Sequence, residues 1–324
     1  MGVRRPHLRP QAGRVPKPRR SQKFHVKHCG VKVATEAEST PILREMTLNI
    51  ERARKIAQTE LVPPSRTRVI TVSNQKGGVG KTTTAVNLAA ALARKGMQVL
   101  VIDLDPQGNA STALGVPHHS GVASSYEVLI GEKSMAEAVQ PSTEHDGLFC
   151  LPATIDLAGA EIDLVGRDGR ENILARALQD YMASRENRLD YVFIDSPPSL
   201  GLLTVNALVA ATEVMVPIQC EYYALEGVTQ LISNIERIKQ ALNPSLVIRS
   251  ILLTMFDSRT NLSADVAHEV RKYFPSQTLK ATIPRSVRIS EAPSFGQTAI
   301  SYDPKNSGSL AYQEAAIELA QQGA

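Results

Sequence analysis

The sequence predicts an α/β fold: a mostly parallel twisted sheet with helices on both faces, preceded by a disordered basic N-terminal tail. Three observations predict it. Short β-branched apolar runs alternate with longer stretches of helical periodicity, the pattern of strands covered on both faces by crossover helices. The runs lead to polar residues, Asn74, Asp103 and Asp195, where ligands bind in such sheets, beyond the C-terminal strand ends. The first run also opens directly into a glycine-rich turn that feeds a helix.

Residues 1–33 hold ten Lys or Arg and no Asp or Glu. The remaining 291 residues carry 26 basic against 32 acidic side chains, so the net charge of +4 is a property of the tail. Rich in Pro, Arg and Lys and without periodicity, residues 1–45 cannot bury enough surface to offset their ordering entropy. They read as an arm for nucleic acid or acidic surfaces, or as an extension ahead of a start at Met46. Residues 46–65 read as a short helix or linker, with helical spacing from Ile50 to Leu61 that Pro63-Pro64 breaks.

A folded domain is expected over 66–324. Its strands are Val69–Asn74, Val99–Asp103, Tyr191–Asp195, Val214–Pro217 and Val247–Thr254. A helix runs from Lys81 to about Arg94, with Gly96 as its stop signal. Further helical patterns span 171–186, 224–242 and 262–273. In the second of these, Leu225, Val228, Leu231, Ile232, Ile235 and Ile238 share one face and read as core.

Composition excludes several classes. Hydrophobic residues make up 43% of the chain, enough for a sizeable core. No run approaches the roughly 18–20 apolar residues of a membrane helix, and the N-terminus lacks a signal-peptide core, so a cytoplasmic protein is expected. Cys29, Cys150 and Cys220 are too few and too widely spaced for a disulfide framework or metal cluster. Cys150 and Cys220 read as small buried apolar residues.

The run Gln75-Lys-Gly-Gly-Val-Gly-Lys-Thr82 departs from the phosphate-loop pattern G-x-x-x-x-G-K-[ST] only in placing Gln75 at its first glycine. The physics survives this departure. Gly77, Gly78 and Gly80 let successive backbone N–H groups turn into one concavity. The helix starting at Lys81 adds free amides and its positive dipole end. Lys81 suits the β/γ-phosphates and the Thr82 hydroxyl suits Mg²⁺. Lys76 is the oddity, since a second ammonium would crowd Lys81 unless it reached elsewhere. Taken alone it reads equally as a solvated lysine or as a cation crossing to a second subunit's nucleotide.

Beyond that point the motifs carry a resemblance. Lys76-Gly-Gly-Val-Gly-Lys-Thr82 resembles the deviant Walker A box of the ParA/MinD group of P-loop ATPases. Asp103-Leu-Asp-Pro-Gln-Gly-Asn109 resembles its switch I, and Asp195-Ser-Pro-Pro-Ser199 its switch II with a Walker B-type Asp. Three more segments, Glu221–Gly227, Met255–Asn261 and Ile283–Ser294, resemble the ParA/Soj chromosome-partitioning branch.

The resemblance implies an ATPase with Lys76, Lys81 and Asp105 as catalytic residues. Lys76 would reach the partner's phosphates in an ATP-sandwich homodimer, and Asp105 would position or activate the attacking water. ATP would be held by Gln75, Lys76, Gly77, Gly78, Val79, Gly80, Lys81, Thr82 and Thr83, with Pro284 and Ser286 at the base. Ser286 stands where the family usually has Asn. Thr82 and Asp195 would hold Mg²⁺, and Asp103 reads as structural or as a support behind the metal site. Arg259, Arg285 and Arg288 lie in segments resembling the basic DNA-binding surface of Soj-like dimers, which implies nonspecific, salt-sensitive DNA binding. A ParB-type partner would stimulate slow intrinsic hydrolysis, with the protein nucleoid-associated.

Three other functions require features the sequence lacks. A MinD-like membrane-surface cell-division regulator needs a basic amphipathic C-terminal helix, but Leu310–Ala320 has no Lys or Arg. A reductase of the nitrogenase iron-protein type needs cluster cysteines, and Cys150 and Cys220 are not in such contexts. An operator-binding repressor needs an N-terminal helix-turn-helix, and residues 1–65 lack two credible helices.

Overall fold

The computed structural model describes Gly2, residues 40–222 and residues 224–322. The expectations for the basic tail lie outside the described residues over 3–39, as does that for Cys29. The chain divides at Leu43/Arg44, and the larger unit, Arg44–Ala324, holds the whole sheet.

Eight strands form one sheet: β1 Arg68–Val72, β2 Val99–Asp103, β3 Gln140–Pro141, β4 Leu148–Leu151, β5 Tyr191–Asp195, β6 Glu213–Gln219, β7 Val247–Phe256 and β8 Thr278–Pro284. Their spatial order is β3-β4-β2-β5-β1-β6-β7-β8. Every neighbouring pair is parallel except β3 with β4. The helices are α1 Pro41–Gln58, α2 Lys81–Ala93, α3 Asn109–Ala113, α4 Ser125–Leu129, α5 Met135–Ala138, α6 Leu157–Asp163 and α7 Ile173–Ser184. They continue with α8 Leu202–Ala210, α9 Ala224–Ala241, α10 Asn261–Tyr273, α11 Val287–Glu291, α12 Ala299–Tyr302 and α13 Ser307–Gln321. No described helix is long and apolar enough to cross a membrane.

Strand alternation distributes the core to two faces. Val69, Leu100, Ile102, Val192 and Ile194 face one cluster, with Leu174, Leu178, Leu208 and the α9 residues Val228, Leu231, Ile235 and Ile238. Ile70, Val72, Val99, Val101 and Phe193 face the other, with Leu88, Leu92, Tyr312 and Leu319 of α2 and α13. Cys150 and Cys220 are buried, as expected of small apolar residues. Burial pushes the Cys220 thiol up to about 11.

At the base of the sheet Arg68 forks onto buried Glu213, Nε–Oε1 2.8 Å and Nη2–Oε2 2.6 Å, and donates from Nη1 to Leu319 O at 2.7 Å. This pair ties β1, β6 and α13 together.

Helix α1 starts at Pro41 rather than Ile50. Its second half is held to the sheet domain: Ile56 is buried, and Arg52 forks onto Glu314 of α13 at 2.8 Å for both bonds. The Lys95 ammonium donates to the carbonyls of Ile56 and Thr59, neutralising the C-terminal end of the helix.

Candidate active site: a phosphate loop beside two buried carboxylates

β1 is central in the sheet, and the loop leaving it lies beside the ends of β5 and β6. Buried Asn74 fixes the start of that loop. Its side-chain amide donates to Pro217 O of β6 at 2.8 Å, and its Oδ1 accepts Lys76 N–H at 3.0 Å. Val79 is buried, and its carbonyl accepts the Thr254 hydroxyl of β7 at 2.9 Å. Gly78 (φ 74°) and Gly80 (φ 87°) adopt the left-handed region that the turn requires. As N-cap of α2, Gly80 brings no side-chain acceptor, so the first amides of the helix are left for an anion.

Gly77, Gly78, Gly80, Lys81, Thr82 and Thr83 line one cavity together with Asp105 and Pro198. Lys81 is buried there, with Nζ 3.5 Å from Lys76 O. Burial lowers its pKa, while Asp195 and Asp105 act to raise it. Among the expected loop residues, Gln75 is partly buried at the entry and Lys76 is exposed.

Asp103 and Asp195 are register partners on β2 and β5, both fully buried. They are satisfied differently. Asp103 accepts Ser111 N–H at 2.9 Å, the Ser111 hydroxyl at 2.7 Å and Asp105 N–H at 3.1 Å. It therefore ties the end of β2 and the turn at Asp105 to α3. Burial is the largest cause of its rise to about 6. Neither carboxylate oxygen of Asp195 has a hydrogen-bond partner. Burial first, and then the neighbouring Asp103, pushes it well above the ordinary range, with the nearby Thr82 hydroxyl and Lys81 acting against this.

An orphaned, fully buried carboxylate is a costly feature, and beside Thr82 and a phosphate cradle it fits a divalent cation. No group of three or more His, Cys, Asp or Glu among the described residues is disposed to hold a metal. Asp105, partly exposed, accepts Gln107 N–H on Oδ1 at 3.0 Å. It faces the cavity while also shaping the turn.

Lys76 does not crowd Lys81. Its Nζ lies 3.1 Å from Glu221 Oε2, both side chains close to half exposed.

Known proteins resemble this chain in sequence and in fold. The description "AAA domain" fits residues 67–248. The "Chromosome partitioning protein ParA" of Myxococcus xanthus is 51% identical over 252 residues, covering 78% of this chain and 87% of the relative. The "Sporulation initiation inhibitor protein Soj" of Bacillus subtilis is 48% identical over 256 residues, covering 79% and 99%. The chain belongs to the ParA/Soj family of partitioning ATPases. A solved structure similar to this ParA/Soj member is "Cobyrinic Acid a,c-diamide synthase" from Mycobacterium smegmatis with bound ADP and magnesium. It is 41% identical, with TM-score 0.66, and the match covers 77% of this chain and 92% of that one.

The other residues expected from the ParA/Soj resemblance fall at two places. Pro284 ends β8 and Ser286 caps α11, both lining a second cavity that shares Gly80 and Thr83 with the first. The Ser286 hydroxyl is 3.2 Å from Asn306 Oδ1. The three arginines are exposed and all paired. Arg259 forks onto Asp257 at 2.9 and 2.7 Å, Arg285 lies 3.5 Å from Glu221, and Arg288 lies 3.2 Å from Glu291.

The sequence marks Asn74 only as a strand-end residue and gives no contact for Asn74, Ser111, Glu221 or Thr254. Asn74 and Thr254 were legible as polar residues ending apolar strands. Glu221 opens a segment that carries the resemblance but has no signal for its contact with Lys76, and Ser111 has none for its contact with Asp103, because the partners lie on other elements.

Proposed function

We propose that the chain is an ATP-driven switch for chromosome or plasmid segregation. ATP with Mg²⁺ pairs two copies face to face, and the pair holds DNA without regard to sequence. Hydrolysis stimulated by a ParB-type partner then releases it. The observation that carries this reading is the division of labour in the loop. Lys81 is buried in the cradle, while Lys76 stands half exposed on Glu221, free to exchange that contact for a phosphate of a second copy.

The residues fit a phosphoryl transfer to water that relies on positioning and charge. The loop amides and Lys81 hold the β/γ-phosphates. Thr82 and Asp195 hold the Mg²⁺, which when bound neutralises charge developing on the phosphate oxygens. Asp105, at the cavity edge, orients the attacking water. Among the described residues no arginine lines this cavity, which supports a slow unaided rate. Arg259, Arg285 and Arg288 supply phosphate contacts to DNA. A basic tail expected over 1–45, a helix or linker expected over 46–65 and the ATPase domain over 66–324 belong to the same proposal, with α1 crossing the 45/46 boundary, as do a cytoplasmic, nucleoid-associated location and the ParB-type partner.

The test is DNA retention measured with ATP, ADP and no nucleotide, beside light scattering. Retention and pairing that need ATP are expected. Equal retention without ATP would remove the proposal.

A MinD-like membrane regulator is less supported. Helix α13 carries no Lys or Arg, and it buries Leu310, Ala311, Tyr312, Ala315 and Leu319 in the core. Liposome co-sedimentation with ATP separates the two readings.

A further inference from the structure

Asn74 stands where β1 gives way to the phosphate loop, and its side chain serves both. Nδ2 donates to Pro217 O and Oδ1 accepts Lys76 N–H, at 2.8 and 3.0 Å. A carbonyl only accepts and a backbone N–H only donates, so these two partners fix which way the amide faces. The first bond extends the sheet. Ser73 N–H donates to Met215 O of β6, and the next β6 carbonyl on that side is that of Pro217. The chain has by then turned out of the sheet, and the Asn74 amide takes the place of the missing backbone donor.

The second bond acts on Lys76. Its N–H is drawn back to Asn74 and its carbonyl lies 3.5 Å from Lys81 Nζ, so the backbone is held from both sides. That N–H is thereby spent and is not one of the amides offered to an anion. The side chain leaves towards β6, where Glu221, two residues past the strand's end, receives its ammonium at 3.1 Å. Both ends of Lys76 are thus referred to one strand, the backbone through Asn74 and Pro217, the ammonium through Glu221. Asn74 itself is buried and lines neither cavity around the loop, so it acts through its partners. Resting on the reading of Lys76 as the cation that serves a second copy, we infer that Asn74 is a positioning residue that aims Lys76 out of its own cradle. An Asn side chain makes such a turn to the N–H two residues on, Ser makes it more weakly, and Ala lacks the acceptor.

The experiment separates pairing from nucleotide binding. For wild type, Asn74→Ala and Asn74→Ser, ATP affinity with Mg²⁺ is measured on dilute, unpaired protein. Pairing with ATP is followed by light scattering over a range of protein concentrations. Asn74→Ala should need about tenfold more protein to pair, while its ATP affinity stays within about twofold of wild type. Asn74→Ser should need about threefold more, again with ATP affinity kept, and it carries the test alone if Asn74→Ala does not fold. Parallel loss of ATP affinity and pairing would overturn the inference, because Asn74 would then hold only the shape of the loop. Pairing by Asn74→Ser at the wild-type concentration, with Asn74→Ala unfolded or equally unaffected, would overturn it as well. A wild type that binds ATP and stays unpaired would instead remove the reading of Lys76 on which the inference rests.

Discussion

Lys76 and Glu221 meet at the mouth of the phosphate loop, Nζ to Oε2 3.1 Å, and the other Glu221 oxygen lies 3.5 Å from Arg285. An exposed pair of this kind contributes about 0–1 kcal/mol, so a phosphate from another copy can displace it. Lys76→Ala should therefore bind ATP yet remain monomeric by light scattering, whereas Lys81→Ala should lose ATP binding altogether. A Lys76→Ala protein that pairs with ATP as the wild type does would end the role proposed for this side chain.

Asp105 serves a turn and faces the cavity, and two substitutions separate these uses. Asp105→Ala removes both the charge and the acceptor for Gln107 N–H. Asp105→Asn keeps an acceptor for the turn. Both should bind ATP, hold the dimer and lower phosphate release by about 100-fold or more. Steady turnover by purified Asp105→Asn would show that its charge is dispensable.

The buried carboxylates set a pH dependence. Asp103 is raised to about 6 and Asp195 well above the ordinary range. From about pH 4, the ordinary range for Asp, the folded protein thus holds more protons than the unfolded chain. Stability without ligand should fall as pH rises through this window. Asp195→Asn removes its share, so its melting temperature relative to wild type should increase from pH 4 to 7. The variant should also lose stabilisation by ATP with Mg²⁺. A difference that is flat with pH would refute the account.

Paired arginines make a two-sided prediction for DNA. Arg288→Glu should lose ATP-dependent DNA retention while pairing and hydrolysing normally. Asp257→Asn releases Arg259 from its forked partner and should tighten retention, most visibly at low salt. Replacing Arg259 by Ala should reduce the steepness of the salt dependence by about one unit. Retention indifferent to all three changes would place the DNA surface elsewhere.

Glu213→Ala would leave Arg68 charged and buried at the base of the sheet. A loss of about 3–5 kcal/mol is expected from breaking such a pair, read by denaturant melts, with nucleotide affinity retained.

Much of this was legible in the sequence, for identifiable reasons. Strands β2 and β5 were read with the same bounds, because Val99–Asp103 and Tyr191–Asp195 are apolar runs that end sharply at a charge. β4 escaped notice as four residues without an alternation. β8, Thr278–Pro284, is interrupted by Lys280 and ends in a proline. Helix α8, Leu202–Ala210, is apolar almost all round and has no stripe for periodicity to find. The loop chemistry was local and so could be read directly. What Lys76 rests on, and which strand Asn74 reaches, depended on residues far away along the chain.

The grips on helix α1 carry one more consequence. Arg52, Ile56 and the carbonyls bound by Lys95 all lie past Met46. A shorter product initiated at that methionine would keep every one of these anchors. Such a product would lose only residues ahead of these anchors, the tail's arginines among them.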